Sequence, residues 1–344
     1  TIKLERAANG RTETFVLKRA SIRQPSIPDF YILKPGIGYI DLSEGFNFTT
    51  SDEMDLALRG LKRQGMTSLI IDLRGNPGGI VQQAVKVAEK FLPAGTLILK
   101  QRGRFTSDSR DWYSKNATPE TMPLVILVDQ DTASASEIVA GAFQDNDRAM
   151  IVGTRTFGKG LVQSVIDLPF GTGATITAAR YLTPSGRSIQ RDYTRIGLYE
   201  YYKHVSPAEG IQNTFFEART ATGRRVLGGN GIEPDTVVPA SEITPSQAEL
   251  LTPLFFYVRA RSTGSGQLEK ISLKEKRTDS LFLERRLKYE IAVAENGTVK
   301  AKRVLNETDP QVGAGINALL GAQKLYLAAQ NLVQDSVAKA NANK

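Results

Sequence analysis

The sequence has no cysteine, one histidine, one tryptophan and no long hydrophobic run in its 344 residues. Without cysteine there is no thiolate nucleophile, no thiolate metal site and no disulfide. The absence suits an oxidising compartment, although many cytosolic proteins share it. The single histidine, His204, excludes a His-rich metal centre. A Ser-His-Asp triad would have to use it, but it sits in the irregular stretch Y-Y-K-H-V and no G-x-S-x-G elbow exists, so it reads as a surface or packing residue. No apolar run approaches the roughly 20 residues of a membrane span, and stable membrane insertion is not expected. Lysine and arginine number 44 against 36 acidic residues, a net charge of +8 spread without a basic block. Nucleic acid is therefore not an expected partner. The opening T-I-K-L-E-R has no basic-then-apolar leader, so any signal peptide is expected to have been removed or to lie outside this sequence.

What is present is an ordinary globular composition, 41% hydrophobic and 23% charged, with enough chain for two domains. Residues 1–22 alternate apolar and polar around Asn9-Gly10, a β-hairpin pattern. Residues 24–28 read as a linker, and 31–42 as strand pieces around a Pro-Gly turn. An amphipathic helix follows through Met54, Leu58 and Leu61. Residues 68–73, S-L-I-I-D-L, are a continuous apolar strand leading through R-G-N-P-G-G into a second helix with Ala84, Val87, Ala88 and Phe91. Further strands are expected at 96–100, 124–128 and 149–152, with a helix from about Ser134 between the last two. This alternation predicts an α/β layer with crossover helices. Residues 160–184 turn to a β pattern, 187–225 read as an irregular surface excursion, and the turn cluster 228–235 ends the α/β part. Helices are expected near 246–261, 279–294 and 313–342. Amphipathic spacing there does not separate packing on the core from dimerisation.

Two residues carry potential chemistry. Ser134 falls at a strand-to-helix turn, where a small hydroxyl residue is either a plain N-cap or a nucleophile beside amides and a dipole that suit an oxyanion. The Gly78-Gly79 turn has the same two readings, a tight turn or a close backbone approach to a ligand. Lys159, bracketed by Gly158 and Gly160, is placed to lose water and act as a base. Residues 153–159 match the phosphate-loop pattern G-x-x-x-x-G-K, but Gly160 replaces the Ser or Thr and a β pattern replaces the helix. The S-x-x-K of Ser336 and Lys339 lies in a polar helix without its partner motifs.

The motifs D-L-R-G-N-P-G-G (72–79), T-A-S-A-S-E-I (132–138), V-G-T-R-T-F-G-K-G-L-V-Q (152–163), Y-L-T-P-S-G-R-S-I-Q (181–190) and G-G-N-G-I-E-P-D (228–235) occur in one order. In that order, and in the 25-residue separation of Ser134 and Lys159, the chain resembles the carboxyl-terminal processing (tail-specific) proteases. The resemblance is close over residues 1 to about 240 and loose in the helical tail. It implies a Ser/Lys-dyad serine endopeptidase with Ser134 as nucleophile, Lys159 as general base and Gln163 supporting the lysine. It places the oxyanion hole at the Ala135 amide and Gly78 or Gly79, and puts Asp145, eleven residues after the serine, where other members have an aspartate needed for a functional site, a role that reads as structural. It also implies a crotonase/Clp-protease-like core at 36–240, the last strands of a PDZ domain at 1–22, a linker at 23–35 and a helical region at 241–344. The rest of the PDZ domain is not in this sequence. No metal or organic cofactor is implied. Expected partners are proteins with extended or unfolded C-terminal tails, with homo-oligomerisation compatible, in a periplasmic or otherwise extracytoplasmic setting. The alternative reading is a catalytically inactive peptide-binding or scaffold member of the same fold.

Overall fold

The computed structural model describes residues 1–5, 10–22, 24–193, 197, 201, 216–262 and 280–342, with side chains described to residue 335. His204 lies outside the described residues, and so do the side chains of Ser336 and Lys339.

By contacts the chain divides into two units, residues 25–239 with 314–344, and residues 1–24 with 240–313. The first is built on a six-stranded sheet. Its strands are β3 (Asp29–Lys34), β4 (Ile37–Asp41), β5 (Ser68–Asp72), β8 (Leu124–Val128), β9 (Met150–Gly153) and β14 (Thr236–Val237). They lie in the order β14-β9-β8-β5-β4-β3. All neighbours run parallel except β3, which pairs antiparallel with β4. Helices α1 (Thr50–Arg63), α2 (Val81–Glu89) and α3 (Ala135–Asp145) lie in the crossovers. The central strands are buried, as their unbroken apolar sequences require, and Leu69, Ile71, Ile126, Val128 and Ile151 join one core with Leu61, Val87, Phe91 and Phe143.

A second sheet, wholly antiparallel, is ordered β10-β11-β6-β7. It contains β6 (Leu97–Gly103), β7 (Arg110–Tyr113), β10 (Leu161–Leu168) and β11 (Thr172–Leu182). The expected α/β class is what the structure shows. Three boundaries differ. The stretch read as a linker at 23–35 carries β3, because Phe30 and Ile32 alternate toward the core and pack on it. The expected excursion at 187–225 is anchored at both ends. Arg187 and Ile189 are buried, and β12 (Phe216–Arg219) pairs with β13 (Arg225–Gly228). The helical tail is not one body. Its last helix, α6 (Pro310–Ala342), joins the core unit from Ala314, where Gly315 has no side chain to hold it off Leu127 (a Cβ there would meet Leu127 at 3.0 Å).

The other unit contains a hairpin, β1 (Ile2–Glu5) on β2 (Thr12–Phe15) with Ile2 opposite Phe15, and helices α4 (Pro245–Ser262) and α5 (Ser280–Asn306). Gly297, at φ 80°, interrupts α5.

Candidate active site

The site is made where the loops leaving β5 and β8 meet. The Asp129 carboxylate accepts the N–H groups of Gly75 and Thr132, each at 2.9 Å, and the Thr132 hydroxyl donates to Leu73 O at 2.9 Å. Burial pushes the Asp129 carboxyl above its ordinary range. Asn76, fully buried, forms a second tie. Its carbonyl accepts the Ala133 N–H at 2.9 Å and the Ser136 hydroxyl at 3.1 Å. Its side chain donates to Leu42 O at 2.5 Å and accepts the Gly78 N–H at 2.9 Å.

Between these ties sits Ser134, half-buried, at φ 57° and ψ −113°. Only three non-glycine residues among those described have positive φ. Such a backbone costs on the order of 1–3 kcal/mol and persists only where its surroundings impose it. Here they do. Ala133 is held by Asn76, the Ser134 N–H donates to Glu137 at 2.9 Å, and every residue of α3 is buried.

The glycines lie directly against it. A Cβ on Gly78 would meet Ala133 O at 2.7 Å and the Ser134 Cβ at 2.8 Å; one on Gly79 would meet Phe46 O at 2.3 Å. Phe46 brackets Gly79 as in a parallel ladder, its N–H donating to Gly78 O at 2.8 Å and its carbonyl accepting the Ile80 N–H at 2.9 Å. In that pattern the N–H of the bracketed residue points away from its neighbour. Among the described residues the Gly79 N–H has no partner, and neither has that of Ala135 in the first turn of α3. The Gly78 N–H, by contrast, is taken by Asn76.

Lys159, half-buried, sits on the loop between β9 and β10. That loop is tied on one side to the Glu137 carboxylate, which has no solvent exposure. Oε1 accepts the Thr156 hydroxyl at 2.6 Å and the Gly158 N–H at 2.8 Å; Oε2 accepts the Lys159 N–H at 2.8 Å together with the Ser134 N–H. On the other side Gln190 Oε1 accepts the Gly160 N–H at 2.9 Å and the Arg191 N–H donates to Gly158 O at 2.8 Å. Burial pushes the Glu137 carboxyl above its ordinary range, and the four donors only partly pull it back. Next to the glycine turn, the Asp72 carboxyl is pushed up by burial, but the Arg74 guanidinium and its hydrogen bonds outweigh this and leave it below its usual range.

Of the other expected residues, Gln163 is exposed on β10 beside a bulge, and its side chain makes no hydrogen bond among the described residues. Asp145 closes the far end of α3, about 16 Å from Ser134 at 1.5 Å per residue. There it accepts the Ser185 N–H at 2.9 Å and the Arg187 Nη2 at 2.7 Å. Sequence reasoning passed over Glu137, Asn76 and Gln190. Glu137 had a signal, a Ser-x-x-Glu capping-box spacing with a carboxylate in an otherwise apolar helix. Asn76 and Gln190 had none, because their partners are 57 and 30 residues away. No cluster of three or more metal-ligating side chains occurs among the described residues.

Residues 36–197 match the model of peptidase family S41. This part of the chain is a peptidase family S41 domain. The carboxyl-terminal-processing protease of Synechocystis is 44% identical over 160 residues, 46% of this chain and 37% of that protein. Carboxyl-terminal-processing peptidase 1, chloroplastic, of Arabidopsis thaliana is 34% identical over 208 residues, 59% of this chain and 40% of its own. The matched stretches thus span about two fifths of those relatives. A solved structure described as the photosystem II D1 C-terminal processing protease is 29% identical, covers 71% of this chain and 55% of its own, and superposes with a TM-score of 0.46. The S41 domain contains the glycine turn, Ser134, Glu137, Lys159 and Gln190.

Proposed function

We propose that the chain is a serine endopeptidase in which Ser134 is the nucleophile and Lys159 the general base, cutting protein substrates near their C-terminus. The observation that carries the reading is Ser134 itself, held at positive φ at the N-terminus of a buried helix, beside two backbone N–H groups without partners among the described residues. Strain of this kind, next to donors left unused, is what a site pre-formed for a tetrahedral oxyanion requires.

In the proposed reaction neutral Lys159 takes the Ser134 proton as Oγ attacks the peptide carbonyl. The Gly79 and Ala135 N–H groups receive the oxyanion. Gly79 is favoured over Gly78, whose N–H Asn76 already uses. The lysine ammonium then protonates the leaving amine, and water hydrolyses the acyl-enzyme with Lys159 again as base. Gln163, on β10 four residues beyond Lys159, is assigned to steady its amine once substrate is bound. Asp145 is assigned to the framework of the domain.

Substrates with extended C-terminal tails follow from the names of the relatives. Residues 1–22 are assigned to the end of a PDZ domain, for which the β1–β2 hairpin is the support. An extracytoplasmic location is proposed on the same relatives; no described helix is long and apolar enough to cross a membrane.

The test is cleavage of an unfolded protein with an exposed C-terminus by the chain, Ser134→Ala and Lys159→Ala, with products located by mass spectrometry. Loss of the products in both variants is the expected result. Turnover that survives either change refutes the dyad.

A further inference from the structure

We infer that Glu137 is a positioning residue: one buried carboxylate fixes the nucleophile turn and the base loop to each other, and full turnover depends on its remaining a carboxylate. The inference rests on the reading of Ser134 and Lys159 as nucleophile and base.

A helix cap needs only the bond from Glu137 back to the Ser134 N–H. The other three donors come from Thr156, Gly158 and Lys159, 19 to 22 residues further along the chain. Each oxygen takes two donors, and Oε2 takes the N–H of the nucleophile and the N–H of the base together. The two residues are thereby joined through a single atom. Thr156 extends the tie, since its hydroxyl also accepts the Ile232 N–H at 2.7 Å. Only a carboxylate can accept in all four directions. A protonated acid, or an amide, turns one of its polar hydrogens toward donors and orphans at least one of them in a site with no solvent.

Protonating Glu137 and replacing it with glutamine should therefore produce the same fault. From the base loop it accepts the backbone N–H of Lys159, and the cation that faces it is Arg191, whose guanidinium lies 4.8 Å from the Phe157 ring and 4.6 Å from that of Tyr201 and feels the Glu137 charge. Burial disfavours the carboxylate, which brings its protonation into a milder range of acid than that of an exposed glutamate. The linkage has a definite sign. A carboxyl with a raised folded pKa contributes stability below its ordinary pKa and loses it as pH rises through the raised value. Acidifying through this window thus does not destabilise the fold through Glu137, and activity should fall while the chain stays folded.

The experiment measures kcat and KM against pH for the unmodified chain, Glu137→Gln and Thr156→Val, beside Ser134→Ala and Lys159→Ala, with tryptophan fluorescence reporting folding at each pH. For Glu137→Gln, kcat should fall about 100-fold, the cost of misplacing reacting groups by about an ångström, with KM within about threefold. In the unmodified chain two protons shape the acid limb, one on the base Lys159 and one on Glu137, so in Glu137→Gln the limb should become shallower, with one proton left. Thr156→Val removes one donor and keeps the carboxylate, so a drop of less than about tenfold with the two-proton limb retained is expected. Glu137→Gln activity within threefold of the unmodified chain, or an acid limb of unchanged steepness in that variant, overturns the inference while the dyad stands. Turnover in Ser134→Ala or Lys159→Ala removes the dyad instead. Should Glu137→Gln not fold, the unmodified chain decides, because an acid limb shaped by one proton only, or one that coincides with loss of folded fluorescence, overturns the positioning role.

Discussion

The two ends of α3 are built from similar groups, buried carboxylates and loop amides, and they are finished differently. At the C-terminal end Asp145 and Arg187, both fully buried, pair at 2.7 Å, and Gln144 accepts a further Arg187 N–H at 2.6 Å. Just beyond, Arg224 joins Asp147 at 2.7 Å to Asp235 at 2.6 Å. Charge there meets charge. At the N-terminal end Ser134 is strained, two N–H groups have no partner among the described residues, and Glu137 is held by neutral donors alone among its hydrogen bonds. One end spends its hydrogen-bonding capacity on rigidity, while the other keeps some unspent and relies on the first to stay in place. Stored strain of this sort survives only where the surroundings over-determine it.

The largest effect that separates the ends should come from Ser134→Ala. Turnover should fall about 10⁴-fold or more with the melting temperature little changed, as read by cleavage kinetics and thermal denaturation. Asp145→Ala should do the reverse. It leaves the Arg187 guanidinium buried without its carboxylate, which typically costs about 3–5 kcal/mol, while molecules that remain folded keep their turnover number. Denaturant melts with an active-site titration would separate these quantities, and a lost turnover number in folded Asp145→Ala would erase the contrast. Gly79→Ala combines both kinds of damage, since its Cβ would strike Phe46 O at positive φ. A loss of about 1–3 kcal/mol is expected, with little activity left. The smallest effect concerns pH. Because the Glu137 pKa is raised, its contribution to stability is present below the ordinary glutamate range and fades as pH rises through the raised value, so Glu137→Gln should flatten that fall in melts taken across the window. A slope unchanged in the variant would assign it elsewhere.

Much of the fold was legible because its signals are local. The apolar runs at 68–72 and 124–128 could only be buried strands, and the glycines at 78 and 79 marked a close approach. Ser134 and Lys159 stood out because strand-to-helix turns and glycine-bracketed lysines are short patterns. The linker bounds 23–35 came with the resemblance and ran over the strand pieces that the residues themselves gave at 31–42, where β3 pairs with β4, and the packing of the tail stayed open because α6 depends on the core face that Gly315 meets. That face is not visible from within the tail.

The sequence by itself determined the central strands and the crossover helices, which turn carries the serine, and which loop carries the lysine. Periodicity and turn chemistry act over a few residues and are written in order along the chain. The tertiary structure alone decided that Gly79 rather than Gly78 keeps an unused N–H, because Asn76 claims the other. It alone decided that Glu137 joins Ser134 to Lys159, because a carboxylate gathers donors by distance in space, whatever their separation along the chain.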